Sequence, residues 1–101
     1  MYSLTVLREN EAQLTKITEL ASLYFRPSEI AVIIQAENIE EFVRTVNYDR
    51  ENPISRAYWC GKLMTEYELR LKTRQYAVGG SPEAQQQMER YLTQQRQEEQ
   101  G

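Results

Sequence analysis

The sequence predicts an all-α fold, and three observations carry that reading. Apolar residues recur at three- and four-residue steps over most of the chain. Proline stands where a helix would open, at Pro27, Pro53 and Pro82. The missing N–H of proline has no intrahelical partner in a first turn, so it is tolerated there. The only β-branched run, Ala31-Val32-Ile33-Ile34, is short and follows a helix start at Pro27-Ser28-Glu29. The expected architecture is a tri-helical, helix-turn-helix-like unit over residues 1–50. A long helix and a C-terminal helix then form an antiparallel hairpin over 51–93, and a polar tail occupies 94–101.

The elements follow in order. Residues 2–11 carry Leu4, Val6 and Leu7, then the polar Glu9-Asn10-Glu11. They either extend the first helix or form a separate turn packed on the body. Leu14, Ile17, Leu20, Ala21 and Tyr24 have helical spacing and give the first helix. Arg26-Pro27-Ser28-Glu29 restarts the chain into Ile30–Ile34, and Ala36-Glu37-Asn38 breaks it again. A third helix begins at Ile39, with Ile39, Phe42, Val43 and Val46 on one face. That face is expected to pack on Leu20, Ile30, Ile33 and Ile34. A helix, a tight turn and another helix is a layout that often reads DNA.

Residues 47–52 are polar turn formers and mark a loop. Asn52 then caps a helix with Pro53 at its first position. Ile54, Ala57, Tyr58, Gly61, Met64, Tyr67, Leu71 and Val78 continue the helical spacing without interruption. This is one amphipathic helix of about 26 residues, or ~39 Å. Its apolar stripe needs cover from the next helix or from another chain. Gly79-Gly80-Ser81-Pro82 ends it: glycine accepts the left-handed conformation, Ser81 caps, and Pro82 opens the last helix. Ala84, Met88, Tyr91 and Leu92 give that helix its apolar positions. Beyond Leu92 nothing apolar remains, so a fraying helix end or a disordered tail is expected.

Composition narrows the function. A chain of 101 residues, 41% hydrophobic and 27% charged, is one folded domain with at most a small appended unit. A domain this small gains from burial against a second copy. No apolar run approaches the ~20 residues that span a bilayer, so no membrane is expected. The N-terminal residues lack a signal-like apolar segment, and the single Cys60 forms no internal disulfide, so a reducing cytoplasm is expected. Histidine is absent, which removes imidazole acid–base chemistry and nitrogen- and sulfur-rich metal sites. No serine or cysteine has a base at readable spacing, and Gly79-Gly80 alone is no phosphate loop. Neither an enzyme, nor a cofactor, nor a metal site is expected.

In a helix-turn-helix the second helix presents its outward side chains to base edges. Here those are Glu40, Glu41, Arg44, Thr45, Asn47 and Tyr48. Arg44 suits guanine, Asn47 suits adenine, and Thr45 reaches a base or a phosphate. Arg26 and Ser28, at the start of the preceding helix, suit phosphates. Charge opposes this in part. Between Gln35 and Arg50 there are four acids against two bases. Glu37, Glu40 and Glu41 also have a simpler explanation, since carboxylates stabilise helix N-termini. The basic excess lies between Glu51 and Gly80, with five bases against three acids. Arg70 and Arg74 share a face there and either track phosphates or stand in solvent with Glu66.

The order of pieces resembles a family. Leu20-Ala-Ser-Leu-Tyr-Phe-Arg-Pro-Ser-Glu-Ile-Ala looks like the helix-turn-helix entry of phage terminase small subunits and related DNA-packaging proteins. Pro53-Ile-Ser-Arg-Ala-Tyr-Trp-Cys-Gly-Lys, Glu68-Leu-Arg and Tyr76-Ala-Val-Gly-Gly-Ser-Pro-Glu-Ala-Gln are similar to their long helix, turn and closing helix. The resemblance covers residues 14–92 and rests on the order of elements. It implies a non-enzymatic phage or prophage protein that binds double-stranded DNA for packaging, self-associates, and contacts a large motor subunit. DNA contacts then map to Arg26, Ser28, Arg44, Thr45 and Asn47. Self-association maps to Tyr58, Trp59, Met64, Tyr67, Leu71, Met88 and Tyr91. Abundant Tyr and Trp suit an interface, although Tyr58 and Trp59 lie on adjacent faces and one of them equally suits the core. The alternative is an all-α protein–protein adaptor without DNA binding, whose acidic face of Glu37, Glu40 and Glu41 meets a basic partner.

Overall fold

The computed structural model describes residues Met1–Gly101, and every regular element is a helix. These are α1 (Leu4–Glu9), α2 (Glu11–Ser22), α3 (Pro27–Ile33), α4 (Ile39–Tyr48), α5 (Pro53–Val78) and α6 (Pro82–Gln100). The chain divides into two compact units, Met1–Thr65 and Glu66–Gly101.

In the first unit the N-terminal residues form a separate helical turn. Ser3 Oγ accepts the Val6 N–H at 3.3 Å and opens α1. Asn10 closes α1 and opens α2, its Oδ1 accepting the Gln13 N–H at 3.2 Å. Tyr2 is tied to the α3–α4 turn by backbone. Its N–H donates to Gln35 O at 2.9 Å, and its carbonyl accepts the Glu37 N–H at 2.7 Å. Leu7 is thereby held in the core with Ile17, Leu20, Ala21, Ile30, Ala31, Ile34, Phe42, Val46, Ile54 and Tyr58.

Two residues expected in that core lie outside it. Ile33 is 44% exposed and Ile39 42%. Ile30, Ala31 and Ile34 fill the inward face of the two-turn α3, which leaves Ile33 on its flank. Ile39 is the first residue of α4, beyond the reach of the core that takes Phe42 and Val46.

Helices α2, α3 and α5 end alike. The Phe25 N–H donates to Leu20 O and the Tyr24 N–H to Ala21 O; Ala36 and Gln35 repeat this on Ala31 and Val32, and Ser81 and Gly80 on Tyr76 and Ala77. This paired closure requires a left-handed residue after the helix. That residue has φ 65° at Tyr24, 60° at Gln35 and 100° at Gly80. Only the last is the residue type that enters this region without a Cβ clash.

The first three turns of α5 complete the unit. Asn52 Oδ1 accepts the Ile54 N–H at 3.0 Å at its start. Ser55 Oγ donates to Thr45 O at 2.8 Å and Trp59 Nε1 to Val46 O at 3.1 Å, joining α5 to the carbonyl end of α4. Thr65 Oγ1 donates to Ser22 O at the end of α2. Between these contacts Gly61 meets α2 so closely that a Cβ there would stand 2.1 Å from Thr18 O and 3.1 Å from Ala21 Cβ.

The second unit holds the end of α5 and all of α6. Ser81 Oγ accepts the Ala84 N–H at 3.3 Å. Gln85 Nε2 donates back to Ala77 O at 3.1 Å. The Arg70 guanidinium stacks on Tyr91 at 4.0 Å and pairs with Glu66 at 3.7 Å. No residue of α6 is buried. The polar residues 94–101 expected to fray or lose order instead continue the helix to Gln100. Gln, Arg and Glu are good helix formers, and no Gly or Pro interrupts them before Gly101.

Two stability changes of opposite sign are expected from urea unfolding followed by helical circular dichroism. Gly61→Ala forces a methyl group against a backbone carbonyl and lowers stability by about 3 kcal/mol. Gln35→Gly relieves the left-handed strain at an exposed position and raises stability by about 0.5–1 kcal/mol.

Candidate functional site

The site is built on α4. Asn38 opens this helix, its Oδ1 accepting the Glu41 N–H at 3.0 Å. Glu40 and Glu41 fall in the first turn, where the backbone dipole favours carboxylates. Phe42 and Val46 anchor the inward face. With those two fixed, Arg44, Asn47 and Tyr48 face solvent and Val43 is half-buried.

An open groove runs along this outward face, lined by Ser28, Ile39, Glu40, Val43, Arg44, Asn47 and Tyr48. Three of the residues selected from sequence for DNA contact, Ser28, Arg44 and Asn47, therefore meet on one surface. Arg44 is in no ion pair, although Glu40 lies one turn before it. The other two are elsewhere. Thr45 is half-buried, and its carbonyl receives the Ser55 hydroxyl. Arg26 is the exposed residue before α3, outside the groove lining. Its backbone N–H donates to Glu29 Oε1 at 2.9 Å, and its Nε lies 3.2 Å from the same oxygen. The Arg26 N–H first, and its guanidinium second, hold the Glu29 carboxyl below the usual carboxylate range. A neighbouring carboxylate thus neutralises one of the two arginines expected to meet DNA.

Sequence reasoning did not single out the apolar part of the groove. Ile39 and Val43 match the core pattern in sequence, yet they line the surface beside Tyr48, which is 83% exposed. It also missed a cluster at the end of α4. Arg50 lies with its guanidinium carbon 4.0 Å from the Trp59 ring centre, and Lys62 Nζ is 5.0 Å from the same centre. The three-residue step from Trp59 to Lys62 was legible as one helix face; the return of Arg50 onto the ring depends on the loop conformation.

The residues assigned to self-association separate by exposure. Tyr58 belongs to the core, 9% exposed, and burial pushes its phenol above the ordinary value. It offers no surface to a second copy. Trp59 packs edge-on against Tyr58 with ring centres 5.3 Å apart and is half-buried. Both aromatics therefore serve the first unit, because the indole N–H has a carbonyl of α4 to meet. Met64 is 57% exposed and Tyr67 65% exposed. Leu71, Met88 and Tyr91 are half-buried, Tyr91 beneath Arg70.

No family model, curated protein or solved structure matches the chain.

The Arg26–Glu29 contact has a pH signature. A carboxyl held below its ordinary value stabilises the fold above the unfolded-state value and loses that contribution as pH falls through the folded one. Urea midpoints measured from pH 6 downward should drop through this acid range. The Glu29→Gln variant should lack that part of the loss.

Proposed function

We propose that this protein is a non-enzymatic DNA-recognition subunit of the phage DNA-packaging type, similar to terminase small subunits. In this reading it binds duplex DNA through α4, self-associates, and delivers the DNA to a larger motor subunit. The observation that carries the reading is the meeting of Ser28, Arg44 and Asn47 in one open groove on a helix–turn–helix. Arg44 is the base-reading group, unpaired and on the exposed side of α4, and its planar fork matches the acceptor pair of guanine. Asn47, one turn on, suits adenine, and the Ser28 hydroxyl suits a phosphate. Self-association is supported by Tyr67, Leu71 and Val78, which fall on one face of α5, with Tyr67 65% and Val78 85% exposed. An apolar stripe left open along one helix face suits a contact surface.

A second reading has its own observation. Ile39, Val43 and Tyr48 give the same groove an apolar lining, with Glu40 at its edge. That composition suits a protein partner, and in this reading the acidic Glu37, Glu40 and Glu41 steer a basic one.

Fluorescence anisotropy with duplex DNA decides between them. The DNA reading expects binding that weakens steeply with salt and falls by about 10–100-fold in Arg44→Ala, with a mass in solution above that of one chain. Absence of binding at about 50 mM salt removes it, because phosphate attraction is strongest there. Charge reversal at Glu37, Glu40 and Glu41 should then disrupt capture of a basic protein.

A further inference from the structure

Arg50 and Lys62 are two cations set against one aromatic ring, at 4.0 Å and 5.0 Å from the centre of Trp59. Like charges brought to one place repel, and the negative face of the indole only partly offsets this. Neither cation is in an ion pair; the three ion pairs of the chain are Arg26–Glu29, Arg56–Glu51 and Arg70–Glu66. Glu51, next in sequence to Arg50, is held by Arg56 at 2.9 Å. No carboxylate therefore stands within ion-pair distance of either cation.

The cluster is also held in place. The Trp59 indole N–H donates to Val46 O at 3.1 Å, which fixes the ring against the end of α4. Arg50 Nε donates to Asn47 O at 3.3 Å, which orients the guanidinium and leaves its terminal N–H groups uncommitted. Asn47 lines the α4 groove and its carbonyl holds Arg50, so the cations lie at the carbonyl end of the helix that carries Arg44. A carbonyl at a helix end attracts a cation on its own account, which explains Arg50 but not Lys62.

We propose that Arg50 and Lys62, braced by Trp59, form a phosphate-contact site for the backbone of duplex DNA, flanking the bases met by α4. The proposal rests on the nucleic-acid reading of the α4 groove and adds to it the contact that neutralises phosphate. A forked guanidinium beside a compact ammonium suits phosphate oxygens. It also places positive charge next to a reading helix that is acidic at its start, and so supplies electrostatic attraction that α4 lacks.

Trp59 is the only tryptophan of the chain, so its emission reports this site directly. Wild type, Arg44→Ala and the double variant Arg50→Gln/Lys62→Gln are titrated with a random-sequence 30-base-pair duplex over a range of salt. Polyglutamate serves as the acidic control. The expected result is a change in Trp59 emission with duplex DNA, and a log K against log salt slope shallower by about 2 in the double variant. Melting and helix content should match wild type. If the double variant fails to fold, Lys62→Gln alone, which removes no hydrogen bond, should reduce the slope by about 1. A wild-type slope in the folded variants, with Arg44→Ala still impaired, overturns the phosphate site and leaves the α4 reading standing. A response to polyglutamate and none to DNA overturns it in favour of an acidic protein. No DNA binding by wild type overturns both.

Discussion

The carbonyl ends of two helices meet donors from a third, and the first unit depends on this. An α-helix leaves its last carbonyls without intrahelical partners, and burying them unsatisfied is costly. Here Ser55 and Trp59 of α5 reach Thr45 and Val46 at the end of α4, and Thr65 reaches Ser22 at the end of α2. Ser55 is fully buried, yet its hydroxyl is satisfied. The close approach that permits these bonds is set by Gly61, where α5 lies against the Thr18 carbonyl. Donor placement and the absent side chain are two parts of one fit, and both come from α5.

That fit determines how α4 is displayed. Phe42 and Val46 are buried and the carbonyl end is hydrogen-bonded, which sets the rotation of the helix about its axis. Arg44, Asn47 and Tyr48 are then fixed on its outer side, facing Ser28 at the start of α3. The surface that results is mixed: one unpaired arginine, one amide and one carboxylate over Ile39 and Val43. Such a surface offers directed hydrogen-bonding groups with little net charge, Arg44 being balanced in sign by Glu40. The cations around Trp59 lie at the carbonyl end of the same helix, where the chain leaves α4.

Much of this was readable from residue types, because the punctuation is explicit. Pro27, Pro53 and Pro82 open α3, α5 and α6, and Asn38, Asn52 and Ser81 accept the backbone hydrogen bonds of their helix starts. What was not readable has physical causes. α1 is six residues long, too short for periodicity to register, and is held by the backbone pairing of Tyr2 with the α3–α4 turn. The ends of α2 and α3 put Tyr24 and Gln35 in a conformation usually marked by glycine, so nothing announced them. Ile33 and Ile39 match the core pattern, but their positions on the flank of α3 and at the mouth of α4 leave them exposed. For the candidate site, the helical spacing of Arg44 and Asn47 predicts one shared outward face, and the structure has both residues there. The engagement of Arg26 by Glu29, and the placing of Arg50 over Trp59, depend on side-chain and loop geometry that no spacing rule contains.

The dependence of the first unit on α5 has a consequence for synthesis. Tyr48 ends α4, but Ile54, Tyr58 and Gly61, which close the core, lie beyond it in the chain. While the polypeptide is still growing, its leading fifty or so residues lack the α5 side chains that complete their core and meet the carbonyl end of α4.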